Sequence, residues 1–406
     1  MKNSFSKYIY YAIIIGISCN VVRLYFQQRD ALELALEQVY PWYYQVGFLG
    51  NVFMCFAAVS SFFLYRKFFP SYITACYLLL ILLVFIASVN DLNAIFKRPN
   101  FFFSIKGIGT FINFGVLYFA ADTERFPKVL KYFYFICFFL IAAAFINLAG
   151  MGFGASRKEY LTSIGGLVFY CIWVFPYFFL QHGENKKKNL INLGTFMVII
   201  LLVLFTGARS YLIISALYLI VKFSKTLKSK NGVAMIIGLI VLTGVGYIIL
   251  SNSAFSGSVE GAVNNLSERS AEDTRSEQIL DFLSQYDTAY LLQGVGPTAL
   301  WFSHGNNDLY GFLDNQFLLL LWWAGLPALL TYIFFLVKSL FTKSEIQYFE
   351  EIKGLKMIIA LWIAASLGFA IYVTISSDLY YFFISFMIGL NACQYTKILE
   401  PEEIEE

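Results

Sequence analysis

The chain has 406 residues, of which 59% are hydrophobic, 19% aromatic and 14% charged, with a formal net charge of +3. Soluble globular proteins carry about 25% charged residues, so this chain cannot cover a water-facing surface of its own size. A soluble enzyme, a disordered chain and a secreted disulfide scaffold are excluded, and so small a net charge gives no reason to expect a nucleic acid partner.

Apolar runs of about 20 residues recur along the chain, the signature of membrane-spanning helices and not of the short alternating strands of a barrel. The expected fold class is an all-α polytopic membrane protein, a single transmembrane domain over 1–406 with about twelve spans. In chain order these fall near 8–26, 43–64, 71–89, 101–121, 128–149, 161–181, 189–206, 208–223, 232–250, 313–337, 355–374 and 378–395. The first run continues through Val21, Val22, Leu24 and Phe26, past any small-residue cleavage site, and reads as a retained span. One long loop, 251–312, separates spans nine and ten. Cys19, Cys55, Cys76, Cys137, Cys171 and Cys393 all sit in or at the ends of apolar runs, with no CxxC or Cys/His cluster. Neither a disulfide frame nor zinc is expected.

Lysine and arginine set the orientation. With the N-terminus inside, most basic residues fall in inside segments, among them Lys2, Lys7, Arg66, Lys67, Lys186, Lys187 and Lys188. This places both termini in the cytoplasm and the long loop outside. The inside charges are mostly lysine. Outside stand Arg29, Arg98, Arg157, Arg209, Arg269 and Arg275 against Lys97 and Lys158, while Arg23 and Lys106 fall within spans. A planar guanidinium suits two-pronged capture of phosphate, whereas lysine suits a point attraction to anionic lipid.

Between spans seven and eight runs Thr206-Gly207-Ala208-Arg209-Ser210, a tight turn with Arg209 at a helix start. Unpaired N–H groups and a partial positive charge gather there, so Arg209 either forms an anion site with those amides or reaches from the membrane interface to lipid headgroups. The long loop repeats the device: Thr274-Arg275-Ser276-Glu277 is a capping box, and Ile279, Leu280, Phe282, Leu283, Tyr286 and Tyr290 follow at helical spacing. The expected amphipathic helix lays its apolar face on the membrane or the bundle and stops at Gly294-Val295-Gly296-Pro297. His304 then lies on a polar Gly/Asn segment. Asp314 and Asn315 fall at the outer end of span ten, a depth at which a carboxylate costs a few kcal/mol unless it is partnered. With no Asp-x-Asp metal site, Walker loop or dinucleotide glycine pattern, no metal or cofactor is expected, and a bound anion must be neutralised mainly by arginine.

Taken in order, a Thr-Gly-Ala-Arg-Ser turn, an arginine opening a helix in a long outer loop, Gly-Val-Gly, and Asp-Asn-Gln-Phe leading a run with a Gly-Leu pair near its middle resemble the Wzy-type O-antigen and exopolysaccharide polymerases and the related O-antigen ligases. The resemblance covers roughly 195–330 in motif and the whole chain in topology. The ligases carry a histidine directly before the asparagine; here Asp314 precedes Asn315, which is more like the polymerase branch. Gly152-Phe153-Gly154-Ala155-Ser156-Arg157 resembles the family's further arginine-bearing loop less clearly.

The resemblance implies metal-independent glycosyl transfer at the outer face of the bacterial cytoplasmic membrane. A glycan on one undecaprenyl diphosphate passes to a hydroxyl of the next lipid-linked repeat unit. Arg209 and Arg275, with Arg157, would receive the diphosphate, Asn315 would assist binding, and Asp314, with His304 as second choice, would act as base. Donor and acceptor lipids, membrane lipid, a chain-length regulator and a flippase are the implied partners. The rival readings are an O-antigen ligase, a peptidoglycan polymerase, and a transporter or flippase of lipid-linked sugar.

Overall fold

The computed structural model describes residues 2–30, 41–97, 102–103, 106–151, 157–181, 186–227, 274–286, 288–304, 308–311, 313, 315–342, 352–368 and 377–393. Among them, seven helices are long and apolar enough to cross a membrane: Ser4–Arg29, Trp42–Phe68, Ser71–Asp91, Phe126–Gly150, Leu161–Leu180, Lys187–Thr206 and Gln316–Phe341. Four shorter apolar helices accompany them, Ile108–Ala121, Ser210–Phe223, Gly354–Ser366 and Leu379–Ala392. This is a helical, multi-pass membrane protein. The expected span at 232–250 lies outside the described residues. So does the first part of the long loop, described from Thr274 onward.

Two segments depart from the expected pattern. The run at 101–121 is no straight span: an α-helix covers only Ile108–Asn113 and tightens into 3₁₀ winding over Phe114–Ala121, where every residue is buried. The long loop also holds a small antiparallel hairpin, Trp301–Ser303 with Asp308–Tyr310, in the register Trp301↔Tyr310, Phe302↔Leu309, Ser303↔Asp308.

The described residues fall into two compact units. The first comprises Met1–Arg23, Pro41–Tyr132 and Asp273–Glu406; the second Leu24–Tyr40 and Phe133–Glu272. Lipid gives helices no hydrophobic reason to associate, so close packing and hydrogen bonds must do it. In the first unit, Phe114–Ala121 runs against Ser377–Ala392. A Cβ on Gly389 would stand 2.0 Å from the Leu117 carbonyl, so only glycine admits this approach. Phe114 meets Tyr381 edge-on at 4.7 Å, and Tyr118 meets Phe69 at 4.8 Å. Such contacts add roughly 0.5–1.5 kcal/mol each beyond burial. The buried Asp122 accepts from Ser6, from Tyr65 Oη at 2.8 Å and from the Arg125 N–H at 2.9 Å.

In the second unit, Gly166–Leu180 is buried along its whole length. Phe169 stacks on Tyr211 at 4.0 Å and Phe179 on Phe196 at 4.4 Å. One turn of π winding, Leu161–Gly165, precedes it. Two side chains patch that turn: Gln28 Oε1 accepts from the Gly166 N–H at 2.9 Å, and Asn147 Nδ2 donates to the Ser163 carbonyl at 2.9 Å.

Candidate functional site

In the first unit the chemistry gathers around an interruption in the helix Gln316–Phe341. Gly325 takes φ 83° and ψ 172°, and Pro327 follows inside the helix. Proline has no N–H, and the left-handed turn removes further helical donors, so carbonyls of the preceding turn need partners from elsewhere. Val295 N–H donates to the Trp322 carbonyl at 2.9 Å and Gly296 N–H to that of Trp323 at 3.0 Å. The predicted stop at Gly294-Val295-Gly296 is thus also a patch for another helix. Gly294 and Gly296 both have positive φ, 81° and 90°. Backbone atoms of 323–325 lie 2.6–2.8 Å from where a Gly294 Cβ would be. Asp91 Oδ2 accepts from the Thr298 N–H at 3.2 Å and fixes the far end of the segment.

Against this frame sits Lys106, in the turn ahead of Ile108–Asn113 and only 5% exposed. Its Nζ donates to the Ala299 carbonyl at 2.8 Å and lies 4.7 Å from the centroid of the Trp322 ring. Among the described residues no carboxylate pairs with it within 4 Å. Burial lowers the pKa of Lys106 to about 8, partly offset by Asp91, whose carboxylate is engaged by Thr298. One carbonyl and an indole face are poor compensation for an ammonium taken out of water, whose desolvation costs several kcal/mol. The arrangement suits an ammonium that completes its shell with a bound anion.

An aromatic shell connects Lys106 to the long-loop helix. Trp322 packs edge-on against Phe282 at 5.5 Å and lies 5.8 Å from Tyr286, and Phe282 meets Trp301 at 5.8 Å. Trp301 faces Tyr310 across the hairpin at 6.0 Å. The expected single helix is two, Thr274–Gln285 and Thr288–Gln293. The first ends where its side chains turn to the hairpin: Gln285 bonds both the N–H of Phe302, at 3.1 Å, and its carbonyl, at 2.6 Å. Tyr286 Oη donates to the Leu300 carbonyl at 3.0 Å, and burial raises that phenol's pKa. Phe282 is fully buried while Leu280 is 68% exposed, so only part of the amphipathic face is used within the first unit.

His304 lies at the end of the first hairpin strand. Its backbone N–H donates to Asp281 Oδ2 at 2.8 Å and its Nδ1 stands 2.5 Å from Asp281 Oδ1. The N–H of His304 is the first cause holding the Asp281 carboxyl below its ordinary pKa, with the imidazole and Gln285 adding to it.

The remaining expected residues fall as follows. Asn315 caps the helix Gln316–Phe341, its side-chain oxygen accepting from the Leu318 N–H at 3.1 Å. Asp314 lies outside the described residues. Arg275 is in the first turn of Thr274–Gln285, within the first unit. In the second unit, Arg209 opens the helix Arg209–Leu227 after the turn at Gly207, φ 61°. Arg157 opens the short helix Arg157–Tyr160. Tyr160 meets Phe205 at 5.7 Å, which brings these two arginine-bearing helix starts to one end of that unit.

Two residues of the site are missing from the sequence reading. Lys106 was assigned to a span; a lysine in an apolar, aromatic stretch was its only local signal. Asp281 is one of several polar residues on the long-loop helix, and nothing in its spacing joins it to His304. The chain matches no protein-family model and no curated protein sequence.

Proposed function

We propose that this chain is a membrane-embedded, metal-independent glycosyltransferase that polymerises polyprenyl-diphosphate-linked oligosaccharide units at the outer face of a bacterial cytoplasmic membrane. The observation that carries this reading is Lys106, a buried ammonium whose partners among the described residues are one carbonyl and an indole face. A leaving diphosphate develops negative charge, and a preorganised cation in a desolvated site stabilises it far better than one in water. In this reading Arg275, in the same unit as Lys106, supplies further positive charge. The donor and acceptor lipids are the partners, with a chain-length regulator and a flippase in the same pathway. Asp314 before Asn315, where the ligases have histidine, favours a polymerase over a ligase.

The interrupted helix Gln316–Phe341 is the one observation that favours a second reading, a transporter, since transporters use broken helices to bind their cargo. There, however, the freed carbonyls do the coordinating; here those of Trp322 and Trp323 are taken by Val295 and Gly296.

The test is the glycan profile of a strain lacking this chain, complemented by wild type, Lys106→Met or Lys106→Arg. The deletion should leave single repeat units and no long glycan. Lys106→Met should behave like the deletion at normal protein level, a loss on the order of 10²-fold or more in extension rate. Long glycan of normal length in the deletion strain removes the reading.

A further inference from the structure

We infer that Asp281 and His304 form a general-base dyad, in which Asp281 positions the imidazole and His304 Nε2 takes the proton from the attacking sugar hydroxyl. The inference rests on the proposed glycosyl transfer and adds to it the group that activates the acceptor. A carboxylate only accepts hydrogen bonds, so the 2.5 Å contact puts the proton on Nδ1 and leaves the Nε2 lone pair free. Asp281 cannot swing away from this task, because its other oxygen holds the backbone N–H of the same histidine. The imidazole is 67% exposed, and so open to an acceptor, while the carboxylate behind it is 20% exposed. A base held in one tautomer by an oriented carboxylate, which then stabilises the imidazolium, is the arrangement that activates hydroxyl nucleophiles elsewhere.

In the step itself, the acceptor oxygen bonds to the anomeric carbon of the donor glycan as its proton passes to Nε2. The bond from that carbon to the phosphate oxygen breaks, and its electron pair departs with the polyprenyl diphosphate. The imidazolium then gives its proton to water. Nothing is oxidised or reduced.

Docking is the competing role for Asp281, since Gln285, one turn further on, pins Phe302 of the same strand. The rate per folded molecule separates the two: docking sets how much folded protein is obtained, and positioning sets how fast each folded molecule extends glycan.

The experiment uses membranes carrying the full chain, supplied with lipid-linked oligosaccharide extracted from the deletion strain, and reads the extension rate per folded protein. His304→Gln should lower the rate on the order of 10²-fold or more. Asp281→Asn should lower it at least roughly tenfold at normal folded yield, and Asp281→Glu should restore part of it. Gln285→Leu should reduce the yield of folded protein and leave the rate per folded molecule where it is. Near-wild-type rates for His304→Gln, with Lys106→Met inactive, overturn the dyad and keep the glycosyl transfer. A wild-type rate per folded molecule in Asp281→Asn overturns the positioning role. Failure of the wild-type chain to extend glycan removes the transfer reading and the dyad with it.

Discussion

Each unit has an interrupted helix among its described residues, at Gly325 in the first and at Leu161–Gly165 in the second, and the two are repaired by different means. In the first unit, the break at Gly325 is filled by the backbone of a distant segment, Val295 and Gly296, lying directly on it. In the second, the π turn at Leu161–Gly165 is filled by the tips of two side chains, Gln28 and Asn147. A backbone patch needs van der Waals contact between main chains, so it demands glycine on both sides. A side-chain patch spans the gap with a flexible arm and constrains little beyond that arm. The first kind is stiff and positions what is built on it, and Lys106, Trp322 and the hairpin are built there. The second leaves the neighbouring helix continuous and buried.

The largest effect should come from filling the stiff patch. Gly294→Val or Gly325→Val places a Cβ within 2.6–2.7 Å of backbone atoms at a φ that side chains avoid. The cost should exceed about 3 kcal/mol. The measurement is the yield of monodisperse protein in detergent and its melting temperature. Both should collapse in either variant, and a stable Gly325→Val protein would show that the two main chains are not in contact.

Gln28→Leu tests the other repair. The leucine keeps the volume but gives the Gly166 N–H no acceptor, at about 1–3 kcal/mol. The protein should still be obtained, with a lower melting temperature. An effect as large as that of the glycine variants would erase the distinction between the two repairs.

The same distinction explains how much the sequence made legible. Helices facing lipid announce themselves, because 20 apolar residues have no other economical use, and the runs at 43–64, 71–89, 128–149 and 189–206 became helices close to their expected limits. The turn at Gly207 and the arginine after it were readable because glycine at positive φ and the following helix start are both local. The run at 101–121 is helical only from Ile108 and tightens to 3₁₀ winding at Phe114, and hydropathy gives no sign of where winding tightens. The break at Gly325 and the Asp281–His304 contact depend on partners 23 or more residues away, which local pattern does not encode. Lys106 belongs with these: its environment is assembled from Ala299 and Trp322, far along the chain.

Asn315 gives the smallest effect and the sharpest test of whether the stiff patch and the chemistry are one device. Its side chain caps the helix that carries Trp322 and the break. Asn315→Ser keeps a capping oxygen, whereas Asn315→Ala removes it at about 1 kcal/mol. If the cap is its whole role, Asn315→Ser should retain melting temperature and glycan length, and Asn315→Ala should lose about 1 kcal/mol of stability with a proportionately small effect on extension. If Asn315 also touches the lipid-linked sugar, Asn315→Ser should melt like wild type and yet extend glycan slowly. The bond to Leu318 is a capping bond, which serine can also make, so the expected result is that stability falls in Asn315→Ala and not in Asn315→Ser, and the glycan length of Asn315→Ser then decides between the two roles.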